Sequence, residues 1–254
     1  MSIVFITGAT SGFGRATALN FAAHGWNIIA TGRRRENLEH LENEIRSNYE
    51  SKVFTITLDI RNKDEVHSAF ESIPHDWKNI DVLINNAGLA SGLSPIQDGD
   101  ISDWELMIDT NLKGLLYISK EIMPGMVARK KGHIVNIGSI AGKEAYAKGN
   151  VYCATKHAVD AISKSMRIDL LPYGIKVTAI NPGAAETEFS LVRFKGDEQR
   201  ASQVYQGYEP LKPEDIAEII FFAVSRPPHV VLNDIIVTPL AQANTAYFIK
   251  NNQH

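Results

Sequence analysis

Short apolar runs alternate with longer stretches in which apolar residues recur every three or four positions. The short runs cover residues 3–7, 27–31, 53–58, 82–85, 133–137, 176–180 and 235–238, and each predicts a buried strand. Helical spacing covers residues 14–24, 35–49, 63–72, 102–130, 150–171 and 213–225. Such alternation predicts an α/β architecture, a seven-stranded parallel sheet with helices on both faces. Right-handed crossovers make it a doubly wound Rossmann fold. No repeat, low-complexity tract or linker divides residues 1–254, so a single domain is expected. The least regular span, residues 183–211, lies between the sixth strand and the last long helix. An irregular insert of that length beside a site predicts a substrate lid.

Composition narrows the class. Hydrophobic residues make up 44% and charged residues 22%, as in an ordinary globular protein. A net charge of −3 without any long charge block argues against nucleic acid as a partner. No apolar run reaches membrane-spanning length, and residues 2–9 read as a core strand rather than a secretory leader. The single cysteine, Cys153, excludes an intramolecular disulfide framework and suits a reducing, cytoplasmic setting. The eight histidines show no ligand spacing, so no metal is expected.

Between the first strand and the first helix lies Gly8-Ala9-Thr10-Ser11-Gly12-Phe13-Gly14. Glycines let the backbone approach a pyrophosphate, and a helix N-terminus offers free N–H groups and a positive dipole end. The spacing is Gly-x-x-x-Gly-x-Gly rather than the usual Gly-x-Gly-x-x-Gly. The second strand ends in Gly32-Arg33-Arg34-Arg35, with no acidic residue to hold a ribose 2′-hydroxyl. A guanidinium fits a phosphate dianion, so NADP(H) is the expected cofactor, with Arg33 and Arg34 as contacts.

Tyr152 and Lys156 are four residues apart, so on a helix they share one face. A phenol ionises near 10, and a neighbouring ammonium lowers that value, giving an acid/base that works near neutrality. Ser139, thirteen residues before Tyr152, supplies a hydroxyl to hold a carbonyl or alcohol oxygen. This is equipment for carbonyl/alcohol interconversion.

With these residues in hand, the chain resembles the short-chain dehydrogenase/reductase family over essentially its full length. The matching positions are Thr7-Gly8-x-x-x-Gly12-x-Gly14, Asp59, Asn85-Asn86-Ala87-Gly88, Asn111, Ser139, Tyr152, Lys156 and Pro182-Gly183. The resemblance implies that Tyr152 is the general acid/base and that Ser139 orients the substrate oxygen. It implies that Lys156 lowers the Tyr152 pKa and holds the nicotinamide ribose. Asn111 would hold a water linking Lys156 to solvent. Asp59 and Ile60 would flank the adenine, Asn85 would contact the adjacent ribose with Ala87 and Gly88 beside it, and Pro182, Gly183 and Thr187 would wrap the nicotinamide end. A homotetramer is the assembly implied, with the helices at 150–171 and 213–225 at a dimer interface.

Within the family, Ala30-Thr31-Gly32-Arg33-Arg34, Gly149-Asn150-Val151-Tyr152 and the segment from Thr187 to Asp197 are similar to NADP-dependent 3-hydroxy acid dehydrogenases. That subgroup implies oxidation of small β-hydroxy acids such as L-serine, L-allo-threonine and 3-hydroxyisobutyrate. The same pattern is shared with sulfoacetaldehyde and malonic semialdehyde reductases. A small anionic substrate would pair with Arg193 or Lys195 in the lid, and Arg193, between Val192 and Phe194, is the better placed. Departures from the subgroup include the segment Lys143-Glu144-Ala145-Tyr146-Ala147-Lys148 before Tyr152, whose two lysines and glutamate bear on specificity, and Glu186, unfavourable near a phosphate unless turned away. A reading of another class is a non-catalytic NADP-sensing regulator, which typically lacks the tyrosine or lysine. The apolar tail Ala246-Tyr247-Phe248-Ile249 docks either on a neighbouring subunit or on its own.

Overall fold

The computed structural model describes residues 2–251. Seven strands form one parallel sheet: β1 (Ile3–Ile6), β2 (Asn27–Gly32), β3 (Val53–Thr57), β4 (Val82–Asn85), β5 (Gly132–Ile137), β6 (Ile175–Pro182) and β7 (Asp234–Val237). Their order is β3-β2-β1-β4-β5-β6-β7, the doubly wound topology expected. The chain winds outward from β1 to β3, returns to pair β4 with β1, and winds outward the other way.

Alternate strand residues face opposite layers. In β1, Ile3 and Phe5 enter one core with Leu83, Ile134 and Val177, while Val4 and Ile6 enter the other with Ile28, Ile84 and Val135. The first core is covered by α3 (Lys63–Glu71), α5 (Leu115–Arg129) and α6 (Asn150–Leu170). The second is covered by α1 (Gly12–Ala23), α2 (Arg35–Asn48) and α9 (Pro213–Val224). Each fully buried Leu, Ile or Phe contributes about 1.5–3 kcal/mol. Phe21 on α1 makes edge-to-face contacts with Trp26 at 5.3 Å and Phe221 at 5.2 Å, seating α1 on α9. Among the described residues no helix is long and apolar enough to cross a membrane.

The structure departs from the periodicity in two places. The helix expected over 102–130 is divided into α4 (Ile101–Ile108), a π-helical turn (Asp109–Gly114) and α5. The π turn lets Gly114 pass Ile60 so closely that a Cβ would lie 2.5 Å from Ile60 Cδ1. It also turns Asn111 inward, where its amide bonds to the Leu89 backbone and to Thr155. The span 183–211 holds two short helices, α7 (Phe189–Arg193) and α8 (Glu198–Gln203). Five or six residues are too few to register a helical period.

His133 opens β5 as a structural residue, its Nε2 2.8 Å from Thr178 Oγ1. Burial, reinforced by Lys176, pulls its pKa down from the ordinary 6.5 to about 3. Between those values the unfolded chain binds a proton that the native imidazole does not, so stability falls as pH drops from about 6.5 towards 3. The slope from this group approaches about 1.4 kcal/mol per pH unit. Urea unfolding at pH 7.5 and pH 5 should show this loss, and His133→Gln should flatten it. An unchanged slope in the variant would assign the acid sensitivity to other groups.

Candidate active site

A cavity of about 560 Å³ opens at the C-terminal ends of the strands, where the winding reverses between β1 and β4. Ligands bind parallel sheets at this point because the loops there diverge and leave a crevice. Gly8, Thr10, Ser11, Gly12 and Phe13 form its first wall. Gly8 has φ of +67° and Gly12 of +50°, which favour glycine. Gly14 stands behind the turn rather than in the wall: a Cβ there would lie 2.3 Å from Gly8 O. This close packing lets α1 start directly under the turn. Ser11, the N-cap of α1, makes no side-chain cap, so the first N–H groups of the helix keep their capacity for an anion.

Arg33 and Arg34 both reach the cavity. Arg34 is tied to the turn, donating from Nη2 to Thr10 Oγ1 at 3.0 Å and Ser11 Oγ at 2.7 Å, and pairs through Nη1 with Glu188 at 2.8 Å. Among the described residues Arg33 has no hydrogen-bond or carboxylate partner, which leaves its guanidinium free for a phosphate. Asp59 and Ile60 line the far end, where Arg61 joins them. Arg61 forks onto the Asp59 carboxylate, and that hydrogen bond holds the acid below its usual range. Arg61 was missed in the sequence because no local pattern distinguishes it.

Asn85 is a correction. It is buried, its Nδ2 donates to Ser119 Oγ on α5 at 3.0 Å and to Asn136 Oδ1 on β5 at 2.9 Å, and it does not line the cavity. Asn86, Ala87, Gly88 and Leu89 line the cavity instead. Strand alternation carried the signal, since Asn85 falls two residues after Leu83 and shares its face. Asn86 bonds across the crevice through Nδ2, to Thr7 O at 2.8 Å and Gly8 O at 3.2 Å.

Tyr152 and Lys156 lie on one face of α6, both buried, and Ser139 stands in the same cavity wall, its hydroxyl donating to Pro182 O at 3.4 Å and accepting from Ala141 N–H at 3.1 Å. Lys156 Nζ donates to Ile137 O at 2.9 Å and stands 6.0 Å from the centre of the Tyr152 ring. Burial pulls this ammonium down to about 8. Burial likewise pushes the Tyr152 phenol above its usual 10, opposed by the nearby Ser139 hydroxyl and the Arg193 charge. Desolvation dominates both groups, and the Lys156 ammonium is aimed at the Ile137 carbonyl. Asn111 lies just behind, its Oδ1 3.2 Å from where a Gly88 Cβ would stand and Lys156 Nζ 3.5 Å from the same point. Its side chain is outside the cavity wall.

Pro182, Gly183 and Thr187 line the near end with Arg193. The Arg193 guanidinium sits among three aromatic rings, 5.5 Å from Tyr146, 5.4 Å from Tyr152 and 5.8 Å from Phe189. It donates from Nη2 to the Tyr146 hydroxyl, while its Nε is buried without a partner among the described residues. Lys195 instead faces Asp103, at 3.0 Å. Of the segment before Tyr152, the residue in the wall is Tyr146. Lys143 is taken up by Asp160 at 2.5 Å and Asp234 at 2.6 Å. Glu186 is exposed and outside the cavity, as a nearby phosphate would require. His157 bonds back to Cys153 O and Cys153 is packed within its helix face, so neither enters the chemistry. In the tail, Phe248 meets Tyr208 at 5.3 Å and closes one side of the cavity with Thr245, while Tyr247 and Ile249 are exposed on this chain.

Comparison with known proteins agrees with this geometry. Residues 2–197 match the family model described as short chain dehydrogenase. The chain is 47% identical over 242 residues to the NADP-dependent 3-hydroxy acid dehydrogenase YdfG of Salmonella typhi, covering 95% of this chain and 96% of the relative. It is 43% identical over 248 residues to sulfoacetaldehyde reductase 2 of Chromohalobacter salexigens, covering 97% and 98%. A solved closed form of serine dehydrogenase complexed with NADP+ superposes with a TM-score of 0.91 at 44% identity, covering 97% of this chain and 98% of that one.

The cradle is testable through its glycines. Gly14→Ala should weaken NADPH binding about tenfold or more, because the added methyl must displace the turn. Gly25→Ala, outside the cavity wall and with open space around its Cβ, should leave NADPH affinity unchanged. Titration of NADPH fluorescence reads both. Equal affinities for Gly14→Ala and the parent chain would detach the turn from cofactor binding.

Proposed function

The chain belongs to the short-chain dehydrogenase family, and from that premise we propose that it interconverts small β-hydroxy acids and their carbonyl forms. It is an NADP(H)-dependent oxidoreductase. The observation that carries the substrate class is Arg193: a half-buried guanidinium with a buried, orphaned Nε, standing over the Tyr152 ring. A half-buried cation with an unused buried donor favours an anion. That anion, placed beside the Tyr152–Ser139 pair, is the acid group of a short hydroxy acid such as L-serine, L-allo-threonine or 3-hydroxyisobutyrate.

The roles of the chain's residues follow from their positions. The glycine turn and the start of α1 fit the cofactor pyrophosphate, and Arg33 with Arg34 fits the 2′-phosphate. Asp59 and Ile60 take the adenine end, Ala87 and Gly88 the middle, and Pro182, Gly183 and Thr187 the nicotinamide end. When bound, the nicotinamide takes up or delivers the hydride at the substrate carbon. Ser139 holds the substrate oxygen. Tyr152 donates its proton to a carbonyl oxygen or receives it from a hydroxyl. Its raised pKa keeps it protonated before the cofactor arrives, which suits the donor role. Lys156 would hold the nicotinamide ribose, and its charge favours the phenolate as the proton moves. Both amide hydrogens of Asn111 are used by Leu89 and Thr155, so a relay water to Lys156 falls to the main chain of the π turn.

The span 183–211 acts as the substrate lid, with Arg193 on its inner side, in a single-domain enzyme. The assembly in this reading is a cytoplasmic homotetramer. It is supported by apolar residues left exposed on the outward helices, Ile168 on α6 and Phe222 on α9. Reduction of sulfoacetaldehyde is the second reading, favoured by the 43% identity to such a reductase, because a sulfonate satisfies the same guanidinium. Malonic semialdehyde reduction uses the same contacts. A non-catalytic NADP sensor has no use for Asn111, Ser139, Tyr152 and Lys156 brought together.

NADP+ reduction should be followed with L-serine, L-allo-threonine, 3-hydroxyisobutyrate and isethionate, with NAD+ as control. Turnover of the hydroxy acids with NADP+ is expected. Turnover of isethionate alone would move the assignment to sulfoaldehydes. Tyr152→Phe should abolish turnover and retain NADPH binding; a variant still active would remove Tyr152 from the proton step. Arg193→Met should raise KM for 3-hydroxyisobutyrate about 10- to 100-fold, the loss of a charge-assisted hydrogen bond. Its neutral methyl ester should be far less affected, and equal effects on acid and ester would remove Arg193 from the substrate anion.

A further inference from the structure

Arg193 ends a helix of five residues, too short to hold a long side chain in place alone. Its main-chain carbonyl accepts a 3.0 Å hydrogen bond from Gly92 N–H, in the loop after β4. Two residues on, Lys195 adopts a left-handed φ of +53°, a conformation that costs an L residue energy and needs outside support. The support is visible. Lys195 Nζ lies 3.0 Å from Asp103 Oδ1 and 3.9 Å from Asp100 Oδ2. Asp103, buried in the first turn of α4, also accepts the Ser91 hydroxyl at 2.7 Å. Gly92, at φ +73°, crosses the carboxylate so closely that a Cβ would stand 2.8 Å from Oδ2. One carboxylate thus gathers the loop after β4, the start of α4 and the turn that follows Arg193.

We propose that Asp103 and Lys195 form a latch that holds the lid closed and aims Arg193 at the substrate anion. Both are positioning residues, and the proposal rests on the reading of Arg193 as the anion contact. What Lys195 adds is a tie to the lid. Lys195 remains 58% exposed, so the pair separates at small cost and the lid opens for exchange of substrate and product. The same pairing answers why a second lid cation stands beside Arg193 without entering the cavity.

The test compares Asp103→Asn, Lys195→Met, their double variant and Arg193→Met on 3-hydroxyisobutyrate and its methyl ester. Each latch variant should raise KM for the acid about two- to fivefold, with kcat and the ester's KM unchanged. The double variant should be no worse than either single one, as for two halves of one contact. Trypsin should cut Asp103→Asn faster than the parent chain at Arg193 or Arg200, the sign of a looser lid. If Arg193→Met raises the acid's KM while the latch variants do not, the latch is wrong and the anion site stands. If Arg193→Met leaves the acid's KM unchanged, the reading beneath the latch has failed. Equal rises for acid and ester in the latch variants would reduce the pair to general structural support. Where Asp103→Asn does not fold, Lys195→Met carries the kinetic comparison alone.

Discussion

The site depends on how closely two backbone segments approach where the sheet reverses its winding. Thr7 at the end of β1 uses its hydroxyl to receive N–H groups from both Asn86 and Ala87, at 3.0 and 2.9 Å. Asn86 answers by donating to Thr7 O and Gly8 O. This reciprocal knot joins the two halves of the sheet at the floor of the cavity. It leaves no room for a side chain at Gly14, and a Cβ at Gly8 would stand 3.0 Å from Ala87 Cα. The glycines are therefore demanded first by packing, and the open backbone that can cradle a pyrophosphate is a consequence.

The second constraint is desolvation. Tyr152 and Lys156 are almost fully buried, and burial moves both towards their neutral forms. A phenol and an amine held this way are poor ions on their own and respond strongly to any charge that enters the cavity. Burial thus makes the pair sensitive to what is bound, which is what an acid/base needs if it is to act only when substrate and cofactor are both present.

The fold was legible because its information is periodic. Apolar runs and three-to-four spacing located the sheet and the long helices, with ends displaced by a few residues. The π turn was not legible, because its cause is tertiary: Ile60 pressing on Gly114 and Leu89 capturing Asn111. Within the site, Ser139, Tyr152, Lys156 and the glycine turn announce themselves by residue type and spacing. Tyr146, Arg61 and Phe248 do not, since they reach the cavity from a turn, an ion pair and a distant tail. Asn85 shows the opposite error: a motif drew attention to the asparagine pair, while the pleat of the strand decided which member faced the cavity.

In the proposed function, the guanidinium of Arg193 also limits what the site can distinguish. Carboxylate and sulfonate both satisfy such a cation, so it selects for charge and does little to separate a hydroxy acid from a hydroxysulfonate. A planar group presents two oxygens and a tetrahedral one presents three. Separation must therefore come from donors around the guanidinium that find a third oxygen or fail to. Tyr146, already bonded to Arg193, and Gln242, whose amide oxygen is held by Ala184 N–H, stand in the wall with polar groups. A polar group that gains a partner from one anion and is left unpaired by the other discriminates far more strongly than a change of volume. On the proposed function, chemistry is thus set by α6 and charge by the lid, while the choice between acids is left to the walls that the tail and the segment before Tyr152 supply.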